Sequence, residues 1–256
     1  APLRRGDHTA FHVVREDSLL KQARAVAASH DFVFGLSESG LSRQPLGAAP
    51  EMIWPVEAAT PITDPRLSSL VGLGHAVTFR QGGQSGNVMF GWLTEDGRAR
   101  AGPFVVKSSA TFVGTPSAAT NGSSAMLAYA GRAAESEPWR IYLAQADVGQ
   151  PPRPASELTQ PPGGPGGDSI APNLAALSHG QWLLQWAEGA QGQRQVRIQT
   201  LDNEGRPIGM AHTVSPVGSN SGQGLLWTLD ASAVSLFVIN VGRSAELWAA
   251  PITCRQ

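Results

Sequence analysis

What most constrains this chain is an internal repeat of about fifty residues. Its clearest copy runs from Ala171 to Ser215: APNLAALS, a Gly-containing turn, QWLLQWAE, the polar turn GAQGQRQ, VRIQTLD, the turn NEGRP and a short MAHTVS. Four β-prone segments bounded by Gly, Pro or Asn predict a four-stranded antiparallel meander. Residues 66–108 and 115–159 repeat the order, with HAVTFRQ and NVMFGWLTED in one and SSAMLAYAG and WRIYLAQAD in the other. Gly97, Gly149 and Gly205 close the third segment of these units, 52 and 56 residues apart, where a tight turn calls for positive φ.

Two further units are less regular. The first reads ARAVAAS, DFVFGLS, a long loop from Glu38 to Pro50, MIWPVEA and TPIT; the last reads QGLLWTL, AVSLFVINV and ELWAAPIT, with no fourth segment. Second-segment runs begin near Phe32, Ala76, Ala125, Trp182 and Val234, at spacings of 44, 49, 57 and 52. The expected fold is all-β: one domain forming a five-bladed β-propeller of four-stranded blades, at approximately 23–63, 64–108, 113–160, 170–216 and 222–256. The last unit lacks a strand, and HTAFHVV (His8 to Val14) precedes the first unit unassigned. Pairing the two predicts a ring closed by the N-terminal strand, which covers an otherwise bare sheet edge. A helix over EDSLLKQARAVAAS (Glu16 to Ser29) is the competing local reading, and QPPGGPGGDS (Gln160 to Ser169) reads as an inter-blade loop because the repeat phase continues across it.

Composition narrows the function classes. Charged residues are only 15%, while 29 Gly and 19 Pro serve many turns, and 41% apolar residues argue for a packed core. A net charge of −1 argues against phosphate-driven nucleic-acid binding, and no apolar run is long enough for a transmembrane segment. The lone Cys254 has no disulfide partner within the chain and reads as a small buried hydrophobe. The start, Ala-Pro-Leu-Arg-Arg, has no apolar leader core; we read the chain as exported, its signal already removed, with a cytoplasmic protein as the alternative.

Meander connectivity puts the loops between units on the same face as the loops between second and third strands. That face is expected to carry Thr63, Asp64 and Arg66; Lys107, Ser108 and Ser109; Asp168 and Ser169; and Ser219 and Asn220. The second-to-third loops add Arg80, Arg132, Arg194 and Arg243, a partial ring of guanidinium groups able to take a carboxylate or phosphate bidentately. Trp139, Trp182, Trp186, Trp227 and Trp248 read as packing between blades rather than as sugar platforms, with Trp139, after a Pro at a loop edge, the least secure of them. Tyr129 and Tyr142 read the same way. Asp64 and Asp168 stand where a propeller glycosidase would place carboxylates, without a third acid in the equivalent place elsewhere. The six histidines are scattered, HExxH, GxSxG and phosphate-cradling loops are lacking, and Arg5-Gly6-Asp7 is read as chance. No catalytic residue, metal or cofactor is expected.

The units APNLAALSHGQWLLQWAEGAQGQRQVRIQTLDNEGRPIG and RLSSLVGLGHAVTFRQGGQSGNVMFGWLTEDGRARAG resemble repeats of β-propeller domains in exported proteins of GC-rich bacteria, myxobacteria among them. The shared cadence is a Pro-led inner strand, a Trp-bearing second strand and a third strand ending in Asp-x-x-Gly or Asp-Gly. The resemblance is at the level of fold and carries over no functional residues; it implies a surface, periplasmic or secreted binding protein. The function expected is therefore a non-enzymatic scaffold for a protein partner or larger assembly. The alternative is a glycoside hydrolase or carbohydrate-binding lectin on the same fold.

Overall fold

The structure, a computed structural model, describes residues 25–28, 32–37, 40–45, 48–55, 62–70, 74–158, 167–216, 220–229, 232–241 and 244–253. They form five antiparallel sheets, each a meander in chain order. The first holds β1 (Ala25–Ala28), β2 (Phe32–Ser37), β3 (Gly40–Pro45) and β4 (Glu51–Pro55); the second, β5 (Ile62–Leu70), β6 (Gly74–Gln81), β7 (Asn87–Leu93) and β8 (Ala99–Val105). The third holds β9 (Phe112–Thr120), β10 (Ser124–Arg132), β11 (Arg140–Asp147) and β12 (Ser156–Glu157); the fourth, β13 (Asp168–Ala176), β14 (Trp182–Gly189), β15 (Gln195–Leu201) and β16 (Pro207–Thr213). The fifth has three strands among the described residues: β17 (Asn220–Leu229), β18 (Ser232–Val241) and β19 (Ser244–Thr253).

The apolar residues of each sheet are shared with its neighbours. Phe34, Leu41 and Trp54 of the first sheet meet Val77, Phe79 and Leu93 of the second. Phe90 and Trp92 of the second meet Leu127, Tyr129 and Tyr142 of the third. Met126 and Leu143 of the third meet Trp182, Leu184 and Trp186 of the fourth. Leu183 and Val196 carry the stack on to Leu226 and Phe237 of the fifth. A second strand is thus covered on both faces, which is why β10 and β14 read as continuous apolar runs rather than alternating ones. Outer strands β8 and β16 are largely exposed.

Polar ties sew the sheets together where packing alone leaves gaps. Arg43, buried in β3, pairs with Glu51 at 2.7 Å and donates to the carbonyl of Asp96 in the β7–β8 turn of the next sheet. Trp92 Nε1 donates to the Gln150 carbonyl at 2.9 Å, joining the second sheet to the third. Gln185 accepts a hydrogen bond from Ser235 Oγ at 2.5 Å, joining the fourth to the fifth. Such buried donors and acceptors must find partners, and here they find them across sheet boundaries.

Three readings of the sequence change. The stretch Glu38–Pro50 contains strand β3 rather than one long loop, so Glu51–Pro55, which includes the MIWP of MIWPVEA, supplies the fourth strand of the first sheet. Ile62 and Thr63 of TPIT open the inner strand of the second sheet, and the boundary expected after residue 63 falls inside β5. Ala25–Ala28 is a strand paired with β2, as the first unit predicts and against the competing helix. The prolines do not lead their strands: Pro65, Pro116 and Pro172 lie three or four residues inside β5, β9 and β13. Gly97, Gly149 and Gly205 do adopt positive φ, at 78°, 77° and 83°. His8–Val14, Cys254, Ser219 and Arg243 lie outside the described residues.

Candidate functional site

The interior prolines organise the site. A proline has no N–H for the ladder and is tolerated in a strand at a bulge. The pairing register shifts at this level in four of the five inner strands, β5, β9, β13 and β17: between Thr63 and Arg66, Val113 and Pro116, Ile170 and Asn173, and Asn220 and Gly224. Asp64 and Ala171, just before Pro65 and Pro172, take φ of 58° and 51°. The irregularity divides the inner strands into an upper part, where they begin, and a lower part.

In the upper part a pocket of about 390 Å³ lies among the second, third and fourth sheets, with Arg80, Trp139 and Arg194 among its lining residues beside Gln84, Thr115 and Ala171. Arg80 ends β6. Its Nη2 pairs with Asp64 Oδ2 at 3.0 Å, its Nε donates to Thr63 Oγ1 at 3.1 Å, and its Nη1 donates to the Val113 carbonyl at 3.2 Å. Arg194 precedes β15, and its Nη2 meets Asp168 Oδ2 at 3.4 Å. The other oxygen, Asp168 Oδ1, accepts from the backbone N–H of Trp139 at 3.1 Å, while Ser169 N–H donates to the Trp139 carbonyl at 2.8 Å. One aspartate therefore fixes both a cation and an aromatic residue of the neighbouring sheet. The Arg132 guanidinium lies 4.7 Å from the Trp139 ring centroid and 5.2 Å from that of Phe112, a double cation–π contact.

Each cation lining this pocket has its own carboxylate, so the pocket presents two ion-pair dipoles rather than a net positive field. The four arginines expected to form a ring do not sit alike. Arg80 and Arg194 share the pocket, Arg132 is turned onto aromatic rings, and Arg243 is outside the described residues. Arg66 lies beyond the irregularity, in a lower cavity of about 510 Å³ bounded by β5, β9, β13 and β17. Asn220 opens β17.

The tryptophans also divide. Trp182 and Trp186 are buried between sheets as expected, and Tyr129 stacks on Tyr142 with centroids 5.6 Å apart. Trp139 lines the upper pocket, and Trp227 lines the lower cavity with 60% of its surface exposed. The sequence signal for Trp139 was its place after Pro138 in a polar stretch instead of an apolar run. For Trp227 it was period two: Leu226 is buried toward the fourth sheet, so its neighbours face the other way.

No family model matches the sequence, and a search of curated proteins finds no match. Solved structures do match in fold. An ulvan lyase, described as a new family of polysaccharide lyase and bound to -[GlcA(1-4)Rha3S]-, aligns at a TM-score of 0.61 and 11% identity over 89% of this chain and 66% of its own. The α-L-arabinofuranosidase of Podospora anserina, in complex with cellotriose, aligns at 0.50 and 13% over 90% and 89%. The α-L-arabinanase of Penicillium chrysogenum, complexed with arabinobiose, aligns at 0.50 and 12% over 88% and 73%. The chain spans just under two thirds of the ulvan lyase. The fold is propeller-like and is one shared with glycan-active enzymes. That overturns the expectation of a non-enzymatic protein-interaction scaffold in favour of its carbohydrate-directed alternative. No helix among the described residues is long and apolar enough to cross a membrane.

Proposed function

We propose that this chain is a carbohydrate-binding propeller whose glycan lies in the upper pocket against Trp139. The observation that carries the reading is the convergence on one cavity of Trp139, Arg80 and Arg194, each arginine held by its own aspartate, Asp64 or Asp168. A sugar ring offers C–H faces to an aromatic side chain, and its hydroxyls both donate and accept. Guanidinium N–H groups donate, the Gln84 amide and the Thr115 hydroxyl can accept, and the aspartates behind the arginines cancel their charge, which favours an uncharged sugar. A pocket of about 390 Å³ is within the range of small-ligand sites. The glycan-directed fold neighbours support the same reading, and a glycan ligand suits an exported protein.

Binding rather than hydrolysis is proposed because both aspartates brace arginines. Hydrolysis needs one carboxyl group to deliver a proton to the leaving oxygen and a second to act as base or nucleophile. Titration calorimetry against neutral arabino-, xylo- and cello-oligosaccharides tests the assignment, alongside a reducing-sugar assay. One or more of these ligands should bind, and Trp139→Ala should weaken that ligand by about tenfold or more, the scale of a lost stacking contact. Arg194→Gln should do the same. Equal affinity in Trp139→Ala and wild type would sink the assignment, and turnover lost in Asp168→Asn would convert it to a hydrolase.

We propose further that the five sheets are five blades of a closed ring, completed by His8–Val14 pairing with β19. What supports this is the three-stranded fifth sheet, whose strand β19 has one unpaired edge among the described residues.

A further inference from the structure

We propose that the lower cavity is a second, separate ligand site that takes a sugar acid, its carboxylate on Arg66 and its ring on Trp227. It is distinct in position and in charge from the upper pocket. Arg66 is the only ionisable residue among the described residues lining this cavity of about 510 Å³. Arg80 and Arg194 each carry an aspartate, whereas Arg66 has no ion pair or side-chain hydrogen bond among the described residues and is exposed. Among the described residues the cavity therefore holds a positive charge that no carboxylate cancels, whereas each arginine of the upper pocket has an aspartate.

The remaining walls favour a sugar over a bare anion. Trp227 exposes 60% of its surface on β17, although the adjoining Leu226 is buried. Around it stand small polar groups: Ser68 Oγ bonds Thr120 Oγ1 at 3.1 Å across two sheets, and Asn173 lies on β13. Each of β5, β9, β13 and β17 is the end strand of its sheet, so one backbone edge of each lacks a strand partner within that sheet. The Leu174 N–H already reaches out of the fourth sheet to Ser117 Oγ of the third, at 3.1 Å. A guanidinium for the carboxylate, an open indole for the ring and hydroxyls for hydroxyls are the complement of a hexuronate.

The test uses the full chain with glucuronate, galacturonate, galactose and inorganic sulfate as probes in titration calorimetry. A uronate should bind one to one, and more weakly as salt rises from ~20 to ~200 mM, as an exposed charge contact requires. Arg66→Gln should lose at least tenfold and Trp227→Ala severalfold, while Arg194→Gln keeps wild-type affinity for the uronate. Both lower-cavity positions are exposed, so unchanged thermal midpoints would confirm that these variants fold. Uronate binding that survives Arg66→Gln, or that is lost in Arg194→Gln, overturns the proposal. So does sulfate binding as tightly as the uronate, or no uronate binding by the folded protein at tens of millimolar.

Discussion

Tyr129 shows how far a single residue can be constrained by sheets that stack on both faces of a strand. Its ring is fully buried against Tyr142, and burial pushes its phenol up to about 12 because the phenolate would lose its water. The unfolded chain ionises near the ordinary value of 10, so between the two values the unfolded state releases a proton that the folded state keeps. The stabilisation is whole below pH ~10 and is lost as pH rises toward ~12, by roughly 1.4 kcal/mol per unit. Denaturant unfolding across that range should therefore fall more steeply for wild type than for Tyr129→Phe. Identical slopes would mean that Tyr129 is not the group responsible. Gly91 makes a steric counterpart: a Cβ there would sit 2.1 Å from the Trp54 ring, so the first sheet approaches the second closely only because that side chain is absent.

At the level of the strand, turns and bulges decide where side chains point. Gly205, at φ 83°, closes the β15–β16 turn against Met126 of the neighbouring sheet. Gly205→Ala should cost about 1 kcal/mol or more, since alanine is strained at this φ and its Cβ would lie 3.0 Å from Met126 Cε. Ala171 is the reverse case, an L-residue held at φ 51° inside β13. Ala171→Gly should be neutral or stabilising by up to ~1 kcal/mol, because relief of the left-handed strain opposes the added chain entropy. Thermal melts of the two variants should thus move apart; a destabilised Ala171→Gly would show that the irregularity is not strained. The matching irregularity in β5 separates Asp64, which holds Arg80 at the upper pocket, from Arg66 in the lower cavity. No alternation rule counts an extra residue in advance.

For the whole molecule, stability is a sum over the contacts between successive sheets, and the fifth sheet has only three strands among the described residues. If His8–Val14 completes it, deleting residues 1–14 should lower the melting temperature by on the order of 5–10 °C, the scale for losing a few kcal/mol in a domain this long. An unchanged midpoint would end the closure proposal. The sequence alone determined the all-β class, the fifty-residue period, most strand positions from the second sheet onward, and the positive φ of three turn glycines. All of these follow from local pattern: apolar runs, breaker residues and their recurrence. It also pointed to the face bearing Asp64, Arg80, Asp168 and Arg194. Only the tertiary structure decided that these residues neutralise one another in pairs, that Trp139 joins them, and that Arg66 is left alone in a second cavity. Those outcomes depend on distances between chain segments 16 to 29 residues apart, set by inner-strand irregularities and by the stacking of one sheet on the next. Patterning along one strand carries no record of which strand its neighbour will be.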